Sequence, residues 1–249
     1  TTIDDPSAYF KVQLYTGNGS ANHAITFNDT DTDMQPDLVV IRQRDATVGG
    51  NCWFDSVRGA TKLLLSNAED AEATDTDTLD SFASDGFQVD ADTKVNDNTK
   101  LYASWNWKAG TTSGITTTNS TITPSGYSFN ATARQSIIKY TGNSTAGALV
   151  PHGLGAVSHM YMVKCLTTGE AWRVYHKNMD STAPEDFTIT LNAGDARNNN
   201  TAWNDTAPTT VNFSVGTNDN VNNSSKDYVA YCWAPVQGYS KFGGYEGNN

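Results

Sequence analysis

The chain has 249 residues, with 16 Lys and Arg against 27 Asp and Glu, a net charge of −11 and an isoelectric point near 4.6. That balance excludes a general nucleic-acid binder, because gripping phosphates needs clustered basic side chains and this surface repels them. Hydrophobic residues at 37% and aromatics at 10% exclude a disordered chain, and no run approaches the roughly 18 apolar residues a membrane helix needs, so a packed fold without membrane insertion is expected.

The N-terminus, TTIDDPSAYF, lacks the basic and apolar regions of a signal peptide, and Thr1 fits the loss of an initiator Met. A run at 9–15 and another at 38–42 are rich in β-branched and aromatic residues and are bounded by Gly, Asn, Asp and Pro, which reads as strands separated by turns. Segment 55–73 contains VRGATKLLLSNAEDAEA and has helical character, but its counterpart later in the chain is FTITL from Phe187, so an extended reading of 62–65 is favoured. At 102–107 the large Trp105 and Trp107 alternate with Ser104 and Asn106, and such alternation sets one face on a core and the other toward water. The stretch GTTSGITTTNSTITPS from Gly110 is polar and low in complexity; it reads as a linker at 111–125, or as an edge strand around 115–122. Further strands are expected at 136–140, 160–165, 171–175, 187–191 and 211–215.

Self-similarity organises these elements. Phe87, Val89, Asn96, Tyr102 and Trp107 match Phe213, Val215, Asn222, Tyr228 and Trp233, each pair 126 residues apart. Upstream, Leu38–Arg42 matches Met160–Lys164 at an offset of 122, and YTGN at Tyr15 recurs at Tyr140, as insertions in loops would produce. A partial third copy, YEGN at Tyr245, closes the chain. The expected fold is therefore all-β: one sandwich unit at 1–110, the polar linker or edge strand at 111–125, and a second unit at 126–249 with a C-terminal closing strand.

For chemistry, the three cysteines, Cys52, Cys165 and Cys232, form no Cys-x-x-Cys unit and read as buried free thiols. His23, His152, His159 and His176 lie in no catalytic or zinc-binding context and read as surface or turn residues. Paired carboxylates of a glycan depolymerase are an alternative that spacing does not exclude. Acids concentrate instead in turns, at Asp29, Asp31 and Asp33, at Asp75 and Asp77, and at Asp90 and Asp92, where turn chemistry is favoured over a Ca²⁺ site. No cofactor and no metal are expected. Two segments combine an aromatic platform with polar groups suited to stacking on a sugar ring or anchoring a protein: Trp53, Asp55 and Arg58 in the first unit, and Trp172, Tyr175 and His176 in the second. The alternative for both tryptophans is a packing position on equivalent strands. The segment Phe242–Gly247 is free either to close the second sandwich or to pair with another copy, which makes Phe242 and Tyr245 candidate assembly residues.

The motifs DDPSAYF, YTGNGS, MQPDLVVIRQR, FDSVRGATKLL, LDSFASDGFQV, LYASWNWKAG, VPHGLG, WRVYHKN and AYCWAPVQGYSKFGGYEGN together resemble a duplicated domain of unknown function carried by proteins of marine tailed phages and viral metagenomes. The resemblance implies lectin-like, jelly-roll type sandwiches and a virion-associated protein, made in the host cytoplasm and displayed on a tail, a fibre or the capsid surface. It brings no catalytic residues, and SHMYMVK at His159 departs from the Pro-Asp more typical there. The expected function is binding and assembly without catalysis, with other virion proteins or a second copy as partners. A carbohydrate-binding adhesin recognising host surface glycans is the alternative.

Overall fold

A computed structural model describes residues 2–27, 31–45, 50–245 and 247. Two compact units divide them, one formed by residues 5–110 and the other by residues 2–4 and 111–247. Both are β-sandwich-like, built from open antiparallel sheets.

The first unit opens with a short 3₁₀ turn at Pro6–Ala8, where Asp5 caps the N-terminus and Pro6 supplies a helical φ. Its strands are β1 (Phe10–Thr16), β2 (His23–Thr26), β3 (Leu38–Gln43), β4 (Cys52–Asp55), β5 (Gly59–Leu65), β6 (Ala73–Thr74), β7 (Leu79–Ala83), β8 (Gly86–Val89) and β9 (Leu101–Trp107), with a single-turn helix α1 (Thr93–Asn96) before the last. A six-stranded sheet runs β1-β9-β3-β4-β5-β6 and a three-stranded one β2-β8-β7. Val39, Ile41, Cys52, Phe54, Leu63 and Tyr102 of the large sheet form one core with Ile25, Leu79, Phe87 and Val89 of the small one, each sheet burying the alternate side chains of its strands.

The second unit contains β10 (Gly126–Asn130), β11 (Gln135–Thr141), β12 (Ala148–Pro151), β13 (Met160–Cys165), β14 (Arg173–His176), β15 (Phe187–Thr190), β16 (Asn198–Asn199), β17 (Asn212–Val215), the single-turn helix α2 (Asp219–Asn222) and β18 (Asp227–Trp233). Its sheets run β10-β11-β18-β13-β14-β15-β16 and β12-β17. The core is aromatic: Tyr161 stacks on Tyr175 at 4.6 Å and on Phe213 at 4.7 Å, and Trp203 meets it edge-on at 4.8 Å. All three cysteines are free and buried, and burial pushes the Cys52 and Cys232 thiols up to about 12, so neither is a nucleophile at neutral pH.

The Tyr-x-Gly-Asn sequence has a structural role in each unit. Tyr15 donates its hydroxyl to the Val95 carbonyl and Tyr140 donates to Val221, each at 2.7 Å, tying the end of a strand to a single-turn helix. A Cβ on Gly17 would stand 2.1 Å from the Asp97 carbonyl oxygen, and one on Gly142 would stand 2.3 Å from that of Asn223, so only glycine lets the backbones approach. The next residue closes the corner: the Asn18 amide donates to Asn96 Oδ1 and the Asn143 amide to Asn222 Oδ1, both at 2.9 Å.

The extended reading of 62–65 holds, since these residues lie in β5 and no helix forms within 55–73. Other expectations change. Segment 115–122 forms no strand; residues 116–119 are exposed, while its end is anchored, with Ile122 only 4% exposed and the Thr121 and Ile122 amides both donating to the Leu149 carbonyl. Among the described residues after β18 there is no closing strand, only an isolated bridge between Val236 and Ser240. In β9 the alternation faces the other way from what residue size suggests. Ser104 and Asn106 are fully buried on the face that carries Tyr102, while Trp105 is 36% exposed. Asn106 Nδ2 donates to the Lys11 carbonyl and to Ser104 Oγ, which offsets the burial of its donor side, while its Oδ1 is buried without a partner.

Candidate functional site

The first expected cluster is real but turned inward. Trp53 lies mid-strand in β4, opposite Val40, and is 7% exposed. Asp55 ends that strand, and its Oδ1 accepts the amides of Val57 at 3.1 Å and Arg58 at 2.8 Å, which shapes the turn into β5. Arg58 folds back over the turn: Nε meets Asp55 Oδ2 at 2.5 Å, Nη1 reaches the Lys62 carbonyl and Glu72 Oε2, and Nη2 reaches the Trp53 carbonyl. Both charged side chains of the Asp55–Arg58 pair have no exposed surface. The three residues are brought together, as a buried lock on the β4–β5 hairpin with no open ring face or free fork for a sugar.

Trp172 and Tyr175 are likewise interior. Trp172 is fully buried, stacks on Tyr231 at 6.2 Å and has its amide held by Asn192 Oδ1. It does not match Trp53 in register: Val174, opposite Met162, holds the place that Trp53 holds opposite Val40. Tyr175 is 3% exposed inside the aromatic core, and burial first, then the nearby Glu185 carboxylate, pushes its phenol up to about 12. His176 is separate from both. It is half-buried at the edge of β14, its Nδ1 accepts the Asn178 amide, and its ring lies 6.5 Å from that of Phe242. His159 approaches Phe242 edge-on at 6.2 Å, so Phe242 borders two histidines that burial, above all, holds below the usual imidazole value. Tyr245 is 95% exposed.

Among the described residues of the first unit, the exposed large hydrophobics lie elsewhere. Val12 is 50% exposed, Leu14 54% and Trp105 36%. Val12 sits opposite Trp105, and Leu14 opposite Ala103, so the three share the outer face of the large sheet. β1 is also the last strand of that sheet. The sequence marks 9–15 as a strand but carries no sign that it ends a sheet, which is why these residues are absent from the expected site. In the second unit a cleft of about 270 Å³ opens beside Phe129, Thr116, Thr210 and three glycines, without a titratable group in its lining.

A family model for a domain of unknown function, DUF7483, matches residues 5–249. The chain belongs to the DUF7483 family. Neither a curated protein nor a solved structure matches it. In this DUF7483 chain, Asp92 is committed to structure: Oδ1 caps α1 through the Lys94 amide, and Oδ2 pairs with Lys94 Nζ at 2.8 Å. Asp29 lies outside the described residues. Among the described residues no group of three or more His, Cys, Asp or Glu is arranged to hold a metal ion.

His152 overturns its expected surface position in this family member. It is fully buried, Nδ1 accepts the Leu154 amide at 3.2 Å, and Nε2–H donates to the Thr209 carbonyl at 3.1 Å, which fixes a neutral tautomer. Burial pulls its value from 6.5 to about 4. Between those values the unfolded chain holds a proton that the folded chain does not, so stability falls as pH drops. The contribution is whole above pH 6.5 and is lost once pH passes below about 4, a loss of about 3 kcal/mol. Urea midpoints of wild type and His152→Gln across this window should diverge in slope, the variant being flatter; parallel slopes would remove His152 as the source.

Proposed function

We propose that this chain is a structural protein of a phage particle, displayed on a tail, a fibre or the capsid surface, that works by binding and assembly. The observation that carries the reading is the outward apolar strip of Val12, Leu14 and Trp105 beside an end strand. A chain of net charge −11 is kept apart from its neighbours by its own charge, and an uncharged apolar strip is where such a surface accepts a protein partner. The motif resemblance to virion-associated proteins supplies the setting.

We also take the two units as lectin-like sandwiches, of jelly-roll type, derived from one duplicated ancestor. The matching order of β1-β9-β3-β4-β5-β6 and β11-β18-β13-β14-β15-β16 supports this, as do the paired Tyr, Gly and Asn bonds at the two corners. The glycan adhesin reading loses its platforms, because Trp53 and Trp172 have no stacking face to offer.

Immunogold electron microscopy on purified particles of the source virus, with antibody raised against this chain, tests the proposal. Label on tail, fibre or capsid is the expected result, and its position names the appendage. Particles without label overturn the reading.

A further inference from the structure

We infer that β1 is an assembly edge that pairs antiparallel with β1 of a second copy of this chain, across a two-fold axis at Gln13. The inference rests on the binding-and-assembly reading and names its partner.

The direction of the backbone groups comes first. β1 pairs with β9 without a break from Phe10↔Trp107 to Thr16↔Leu101. Its odd-numbered residues bond toward β9: Lys108 donates to the Tyr9 carbonyl, Asn106 Nδ2 to that of Lys11, and the Gly17 amide to Lys100. The even-numbered residues, Phe10, Val12, Leu14 and Thr16, therefore direct their amides and carbonyls to the other side, where no strand lies among the described residues. The Leu14 carbonyl confirms the direction, since it accepts an exposed bond from the Gln13 side chain at 2.8 Å.

Proteins blunt such edges with proline, exposed lysine, bulges or very short strands. β1 has none of these devices; it is a regular seven-residue strand that carries a different and weaker guard, an inward-pointing charge, Lys11, which is 5% exposed. The second unit shows what completes such an edge. There β11, which pairs with β18 as β1 pairs with β9, carries β10 antiparallel on its outer side, from Gly126↔Lys139 to Asn130↔Gln135.

A second copy fits because the strand is self-complementary. With the axis at Gln13, Val12 and Leu14 of one copy exchange both backbone bonds with Leu14 and Val12 of the other, and Phe10 stands opposite Thr16. The four aliphatic side chains then lie on one face, next to Trp105 of each copy. No carboxylate occurs within Phe10–Thr16, and the one charge, Lys11, is turned inward at 5% exposure and stands opposite Tyr15 of the other copy, so the two lysines do not face each other. Pairing releases the bond from the Gln13 side chain to the Leu14 carbonyl. Strand addition of this kind draws affinity from main-chain bonds and specificity from alternate side chains, and a two-fold contact closes without forming a fibre.

Sedimentation equilibrium of the full chain over a dilution series should give a mass near twice 26.9 kDa. Leu14→Pro removes an outward amide while leaving every bond to β9, and Val12→Lys places a charge on the strip; each should sediment as a monomer with wild-type far-UV circular dichroism. Gln13→Cys should form an intermolecular disulfide under mild oxidation, because the axis sets the two Cα atoms about 4.5 Å apart, whereas Thr16→Cys should not. A wild type that stays monomeric, a dimer that survives both edge substitutions, or a dimer that links through Thr16→Cys instead of Gln13→Cys overturns the inference. A monomer that still labels particles defeats the pairing and leaves the assembly reading standing, whereas a β1-linked dimer absent from particles defeats that reading alone.

Discussion

Arg58→Met is expected to lower stability by about 3–5 kcal/mol, read as a fall in the urea midpoint at unchanged slope. The reason is what remains behind. Asp55 has no exposed surface, and its Oδ2 loses the guanidinium at 2.5 Å; the Lys62 and Trp53 carbonyls lose their Arg58 donors as well. An uncompensated buried carboxylate costs more than the ion pair contributes, so the partner substitution should restore part of the loss. Asp55→Asn keeps an acceptor for the Val57 and Arg58 amides, and the double variant Asp55→Asn with Arg58→Met should recover at least about 1 kcal/mol over Arg58→Met alone. The same experiment separates two roles for this cluster. If Arg58 served a ligand, Arg58→Met would fold with wild-type stability and lose only binding; a stability loss under about 1 kcal/mol would count against the hairpin lock.

Strand content, turn punctuation and the two Tyr-x-Gly-Asn corners were legible because each has a backbone cause. Tyr15, Gly17 and Asn18 recur as Tyr140, Gly142 and Asn143 since each makes or permits a particular main-chain contact, and a contact to the backbone constrains residue type more tightly than packing does. Side-chain direction was less legible. A one-residue shift in register moves a whole strand to its other face, and β9 buries Ser104 and Asn106 while leaving Trp105 exposed, with neighbouring carbonyls accepting from the Ser104 hydroxyl and Asn106 Nδ2 although Asn106 Oδ1 stays unpartnered. The same ambiguity produced the expected sugar platforms. An aromatic beside charged residues has one appearance in sequence whether the charges meet a ligand or, as with Arg58, the carbonyls of their own hairpin. The edge at β1 was not legible at all, since sheet position depends on which strand lies beyond it. Two stretches of the same β character, 9–15 and 136–140, end up as an end strand and as a strand covered by β10.

The last expectation concerns the corner asparagines. Asn222 is fully buried and holds three backbone groups at once: Oδ1 accepts the Asn143 amide at 2.9 Å, and Nδ2 donates to the Thr145 carbonyl at 3.0 Å and to the Gly216 carbonyl at 2.7 Å. Asn222→Ala strands these groups and should cost about 3 kcal/mol, near 1 for each. Asn222→Asp is nearly the same size and should be worse, because it keeps the acceptor but turns a carboxylate oxygen toward two carbonyls that need a donor. Its defect should shrink as pH falls, since the protonated acid regains one O–H donor, while the Asn222→Ala defect has no such titration. Asn96 makes the corresponding bonds in the first unit, accepting from the Asn18 amide and donating to the Ser20 and Asp90 carbonyls at 2.9 Å each. Asn96→Ala and Asn96→Asp should therefore reproduce the same order and the same pH response. Equal stability of the Ala and Asp variants at neutral pH would mean that these side chains fill space only; the expected order would show that the corner is held by a bifunctional amide, which explains why both positions carry asparagine in place of aspartate in so acidic a chain.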